Sequence, residues 1–282
     1  MDMDIDSLRS FIACVENGSF TRAASQLYRT QSAISMQMKK LQQEVGRPLF
    51  EKSGRKLHLT QDGHTLMRYA RQLVRLHDDT LSHMRRNEGT TLLRLGCPDD
   101  YADAILPRLV SQLHRHWPNL ELDIHCMSSN RIKDALDRGE LDLAVITRSP
   151  DSEEGVLLYH DQGVWVGSFK PDPSLSLAIF QRDCRFHQAA IEGLMKQERP
   201  FKVIANCGSA SALRALVKAG LAVGALAKSS ARGLPIISLS DLPALPAIEI
   251  VLIRSNAAAN PIREEDLRAI CDAIGNASNL PD

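Results

Sequence analysis

Residues 62–88 contain no proline and, beyond Gly63, no glycine, and their apolar positions fall on one narrow stripe: Leu66, Ala70, Leu73, His77, Thr80 or Leu81, and Met84. Helical periodicity kept up without a breaker predicts one helix of about seven turns. A helix this long and polar on most sides buries its stripe most simply against a copy of itself. It also divides the chain. Before it the apolar spacing is helical and short-ranged; after it, strand-like and helix-like runs alternate.

The first 61 residues read as three short helices and a hairpin. Leu8, Phe11, Ile12 and Val15 recur at helical spacing, Asn17-Gly18 stops that helix, and Ser19 is placed to cap the next. Phe20, Ala23, Ala24 and Leu27 line a second helix of about two turns, and a turn at Tyr28-Arg29 separates it from a third. In the third, Ile34, Met38, Leu41 and Val45 face inward, Gly46 sits at the C-cap and Pro48 bars continuation. Two helices joined by so short a turn form a helix-turn-helix, and the paired alanines allow the close crossing it needs. Leu49-Phe50, the turn Ser53-Gly54-Arg55-Lys56 and the alternation Leu57-His58-Leu59 then read as a wing.

After Gly89-Thr90-Thr91 the strand-like segments 92–97, 120–127 and 141–146 enclose helices at 102–116 and 130–138, which predicts βαβ units and a mostly parallel sheet. A second set follows, with strands at 177–180, 202–205 and 222–226 and helices at 185–197 and 211–219; a strand at 248–253 and a helix from Pro261 to about Ile274 close the chain. Segment 156–169 fits no single pattern. The expected domains are 1–61, a winged helix-turn-helix; 62–90, a linker helix; and 91–282, two α/β lobes with a cleft between them.

Charge supports this division. The formal net charge is zero, yet residues 1–90 hold 14 Lys and Arg against 10 Asp and Glu, and the excess sharpens between Phe20 and Thr60, where eight basic residues face only Glu44 and Glu51. A compact basic module heads a mildly acidic body, the distribution expected of a nucleic-acid contact on one domain. The apolar runs 141–146 and 219–227 fall far short of a membrane span. Three acids in the first six residues stand where an export signal would carry Lys or Arg, so a cytoplasmic location is expected. Six cysteines without a Cys-x-x-Cys, nine scattered histidines, and the lack of phosphate-loop, dinucleotide, Gly-x-Ser-x-Gly or His-Glu-x-x-His motifs leave no metal site, cofactor or catalytic group to assign.

Gly18-Ser19-Phe20-Thr21-Arg22-Ala23-Ala24, Gln31-Ser32-Ala33-Ile34-Ser35, the run 37–41, Gly46, Leu49-Phe50, Arg55 and Leu59-Thr60 together resemble the LysR-type transcriptional regulators. Segments 29–33, 99–107 and 213–221 look most like the LrhA and HexA subgroup, regulators of motility and virulence traits. Met36 departs from the family's usual polar or basic residue, and Gln42 from its usual Glu. The resemblance implies a winged helix-turn-helix, a dimerising linker helix and a two-lobed effector domain similar to periplasmic binding proteins. It also implies a homodimer or homotetramer on promoter DNA, a small-molecule effector, and RNA polymerase as a further partner.

On this reading the third helix enters the major groove. Thr30, Gln31, Ser32, Ser35, Met36, Lys39 and Lys40 lie away from its inward set, and Arg55 and Lys56 on the wing meet phosphates or the minor groove. Ligands of two-lobed α/β domains gather at strand C-termini, which selects Pro98, Asp99, Asp100, Tyr101, Ser128, Ser129, Thr147 and Arg148, with Asn206 and Ser209 in the other lobe. Asp99 and Asp100 would repel an acidic ligand, so the expected effector is neutral or cationic, or places an anionic end on the Ser209 side. Two other classes compete: a redox sensor switching through Cys184 and Cys207, and an α/β ligand-binding protein or enzyme with an appended basic domain.

Overall fold

The computed structural model describes residues 3–53, 56–85, 90–168, 174–180, 183–237, 242–256 and 260–276. These fall into two compact units with the main boundary between Thr90 and Thr91.

The first unit opens with α1 (Ile5–Asn17), whose N-cap Asp4 accepts from the Ser7 amide and whose C-cap Gly18 takes the left-handed conformation, φ 59°. Ser19 caps α2 (Phe20–Gln26) and Thr30 caps α3 (Gln31–Val45). Between them Tyr28 turns the chain with φ 53°. Strands β1 (Phe50–Ser53) and β2 (Lys56–Leu59) pair antiparallel as the wing, and α4 runs from Gln61 to Arg85. The remainder of the expected helix, 86–88, lies outside the described residues. Leu8, Phe11, Cys14, Ala23, Ile34, Met38, Leu41 and Leu49 form the core, and the Phe50 ring meets those of Phe11 and Phe20 at 5.3 Å each.

One stripe residue after another was expected to face a second copy along α4, and its first part does not. Ala70 is fully buried and Leu66 half-buried in the unit's own core, together with Met67 and Val74. Helical spacing identifies a stripe but not the surface that covers it. Among the described side chains of α4, the large apolar ones left exposed are Tyr69, Leu73, Leu76, Leu81 and Met84, and Thr80 is exposed beside them.

The second unit contains β3 (Thr91–Cys97), α5 (Ala102–His116), β4 (Leu120–Cys126), α6 (Ser129–Asp137), β5 (Leu143–Thr147), β6 (Val156–Val166), β7 (Leu175–Phe180), α7 (Arg185–Lys196), β8 (Phe201–Cys207), α8 (Ala210–Lys218), β9 (Gly224–Ala227), β10 (Ala247–Arg254) and α9 (Glu264–Asn276). A six-stranded sheet runs β4-β3-β5-β10-β6-β9, and β7 pairs in parallel with β8. Among the described residues, β3 is parallel to β4 and to β5, while the other pairs of the larger sheet are antiparallel, so the sheet is mixed rather than mostly parallel. The reason is β10, which returns from the end of the chain, and β6, which passes from one lobe to the other. The first half of β6 pairs with β10 and its second half with β9. Its burial changes phase along its length, which is why segment 156–169 matched no strand template. A single apolar cluster runs through both lobes, from Leu93, Leu109 and Ile270 to Trp165, Phe186 and Leu194.

Candidate nucleic-acid interface and ligand pocket

The α3 helix buries Ile34, Met38 and Leu41 and leaves a polar face outward. Gln31, Ser32, Lys39 and Lys40 are exposed, Ser35 is half-buried, and Met36 is 72% exposed. The Gln31 side-chain amide donates to Ser35 Oγ at 3.0 Å, and the Thr30 and Ser32 hydroxyls lie 3.1 Å apart. Thr30 Oγ1 also accepts from the Ala33 amide, so part of its role is to start the helix. The exposed Lys40 ammonium lies 3.6 Å from the half-buried Glu44 carboxylate. Arg55, and the side chain of Lys56, lie outside the described residues. Gln42 secures the wing, its Oε1 accepting from the amides of Leu49 (2.9 Å) and Phe50 (3.4 Å). A carboxylate would also accept there, which explains how Gln stands in for the usual Glu.

Sequence reasoning took Tyr28 only as part of a turn. It is 98% exposed beside the start of α3, and an aromatic ring at a positive-φ turn position where Gly or Asn is usual was the available signal.

In the second unit a cavity of about 450 Å³ opens at the strand ends. Of the residues selected from the sequence, Pro98, Asp100, Tyr101, Ser128, Ser129, Thr147 and Arg148 line it. Tyr101 and Thr147 join their hydroxyls at 2.8 Å, and the Ser129 hydroxyl accepts from the Thr147 amide at 3.1 Å. Burial beside Asp99 and Asp161 pushes the Asp100 carboxyl up to about 7. Arg148 is fully engaged, its guanidinium reaching Glu249 at 2.8 Å and the carbonyls of Glu154 and Gly155.

Asp99, Asn206 and Ser209 are not among the lining residues. Ser209 caps α8 by accepting from the Ala212 amide, and the Asp99 carboxylate crosses between lobes to accept from the Ala210 amide at 2.6 Å. The first turn of α8 therefore already holds an anion supplied by the chain, and an effector's anionic end has no place on the Ser209 side. The opposite wall comes instead from Phe180, Asp183, Cys184, Arg185, Phe186 and Gln188, which follow β7 and begin α7. The strand-end rule would have found them had it been applied to β7 as well as β8.

All six cysteines are free thiols. Burial pushes Cys184 up to about 11 and raises Cys207, the opposite of what an oxidant-sensing thiolate requires.

Residues 5–64 match the family model described as a bacterial regulatory helix-turn-helix protein of the lysR family, and residues 86–273 match the LysR substrate binding domain. The chain belongs to the LysR family. This family of DNA-binding transcriptional regulators therefore accounts for both units. The HTH-type transcriptional regulator DgdR of Burkholderia cepacia is 34% identical over 89% of this chain and 87% of its own length. PecT of Dickeya dadantii is 31% identical over 99% of this chain and 90% of its own. Among solved structures, full-length CbnR bound to its target DNA covers 98% of this chain and 100% of its own, with a TM-score of 0.60 at 19% identity. Full-length OxyR of Pseudomonas aeruginosa covers 97% and 95% with a TM-score of 0.56 at 20% identity. At these identities the two structures establish a shared LysR-type fold.

Proposed function

We propose that α3 of this LysR-type regulator reads promoter DNA in the major groove, with Gln31, Ser32, Ser35 and Met36 toward base edges. Lys39, Lys40 and the wing residues Arg55 and Lys56 hold phosphates, and Thr30 and Tyr28 flank the helix start. The observation that carries this reading is the polar face of α3, exposed on one side while Ile34, Met38 and Leu41 fix the other in the core. Two copies join through Tyr69, Leu73, Leu76 and Met84 of α4, and dimers pair into a tetramer that engages RNA polymerase. A small molecule in the 450 Å³ cavity changes the affinity or bending of DNA. The regulator works in the cytoplasm and serves genes of the motility and virulence type, as segments 29–33, 99–107 and 213–221 suggest.

Affinity selection of genomic fragments followed by footprinting tests this. The expected result is a shared sequence with dyad symmetry, its half-sites about one helical turn apart or a multiple of that. Recovery of unrelated fragments with uniform protection would overturn it.

A further inference from the structure

The cavity carries both signs of charge on separate elements. Asp100, in the turn after β3, has a carboxylate whose one hydrogen bond among the described residues is to its own backbone amide. Its acidic neighbours are already served: Asp99 by the Ala210 amide, Asp161 by the amides of Gln162 and Ser229. A carboxylate taken from water without a counter-charge is costly, and among the described residues Asp100 has no cationic partner. Across the cavity wall Arg185 heads α7, and among the described residues its guanidinium makes one long contact, 3.4 Å to the Arg148 carbonyl. Arg148 is held by Glu249 and Asp183 accepts from Asn130 at 3.3 Å, and among the described residues neither forms an ion pair with Asp100 or Arg185.

We propose that the pocket takes a small zwitterion of the α-amino-acid class, its ammonium on Asp100 and its carboxylate on Arg185 at the start of α7. This rests on the reading of the cavity as the effector site and adds the ligand's chemistry. A simple acid would satisfy Arg185 but crowd a fourth anion toward Asp99, Asp100 and Asp161. A simple amine would leave Arg185 without its anion. An α-amino acid answers both, and a cavity of about 450 Å³ accommodates one with a medium or large side chain.

Titration calorimetry on the full chain at pH 8 tests the proposal, with the twenty common L-α-amino acids and, for each that binds, the matched carboxylic acid lacking the amine and the amine lacking the carboxylate. At least one amino acid should bind, its two truncated counterparts at least about tenfold more weakly, as expected for losing a charged partner. Asp100→Asn and Arg185→Gln should each weaken binding by a similar factor with the circular dichroism spectrum unchanged. Arg185, half-buried at a helix start, provides the variant least tied to folding. Binding of a matched acid or amine as tightly as its amino acid overturns the proposal, as does silence across the panel or indifference of both variants. DNA affinity measured alongside separates the two readings. A change in response to simple acids alone would keep an effector site and sink the zwitterion, whereas a bound amino acid without effect on DNA would keep the pocket and sink its regulatory role.

Discussion

Asp100 shows how one residue ties the fold to the proposed ligand. Around it stand Asp99, Asp161, Tyr101, Tyr159, Cys97 and Cys184, none of them a cation, and burial holds its carboxyl up to about 7. An acid whose folded value lies above the usual 3.9 binds more protons when folded than when unfolded. Its contribution to stability is therefore present at low pH and lost as pH rises from about 4 to about 7. Without ligand, Asp100→Asn should stabilise the protein above pH 7 by on the order of 4 kcal/mol and flatten that slope. Denaturant melts at pH 5.5 and pH 8 check this; a wild type equally stable at both, relative to the variant, would contradict it. The sequence identified Asp100 as a pocket residue through the strand-end rule. It did not show that Asp99, one position earlier, turns away to cap α8, because alternation of side chains at a turn depends on backbone dihedrals that residue type leaves open.

Elements were legible where periodicity alone decides them. Helix α5 spans the expected 102–116, and α3 buries the expected Ile34, Met38 and Leu41. Strand direction was not legible, since a period of two is the same in parallel and antiparallel ladders; β10 and β6 made the sheet mixed for that reason. Helix α4 forms where the unbroken periodicity begins and is described as far as Arg85, but the stripe reading confuses its faces, because Leu66 and Ala70 meet the helical core. Two predictions belong to α4. Its Gly63 lies where a Cβ would come 2.1 Å from the Leu49 carbonyl oxygen, so Gly63→Ala should destabilise the first unit by about 2 kcal/mol or more. A thermal melt with unchanged midpoint would show that the wing connection yields freely. On the exposed face, Leu73→Glu with Leu76→Glu should convert the dimer to a monomer while leaving the helical signal intact. Persistence of the dimer in sedimentation would place the interface elsewhere.

The whole molecule joins a basic head to an acidic body, and the net charge of zero conceals it. Affinity for any duplex should accordingly fall with salt. Replacing Arg55 or Lys56 should weaken all sequences alike and reduce the magnitude of the logarithmic salt slope by about 1 for each phosphate no longer neutralised. A slope unchanged in both variants would set the wing away from the backbone. Reading should separate from holding in the α3 face, where Gln31 and Ser35 support one another through a 3.0 Å hydrogen bond. The decisive measurement is fluorescence anisotropy of wild type, Gln31→Ala and Ser35→Ala on the selected operator and on a scrambled duplex at fixed salt. Each substitution should cost about 1–3 kcal/mol on the operator and little on the scrambled duplex, collapsing the ratio between them. Equal losses on both duplexes, or none on either, would contradict the claim that α3 reads the sequence.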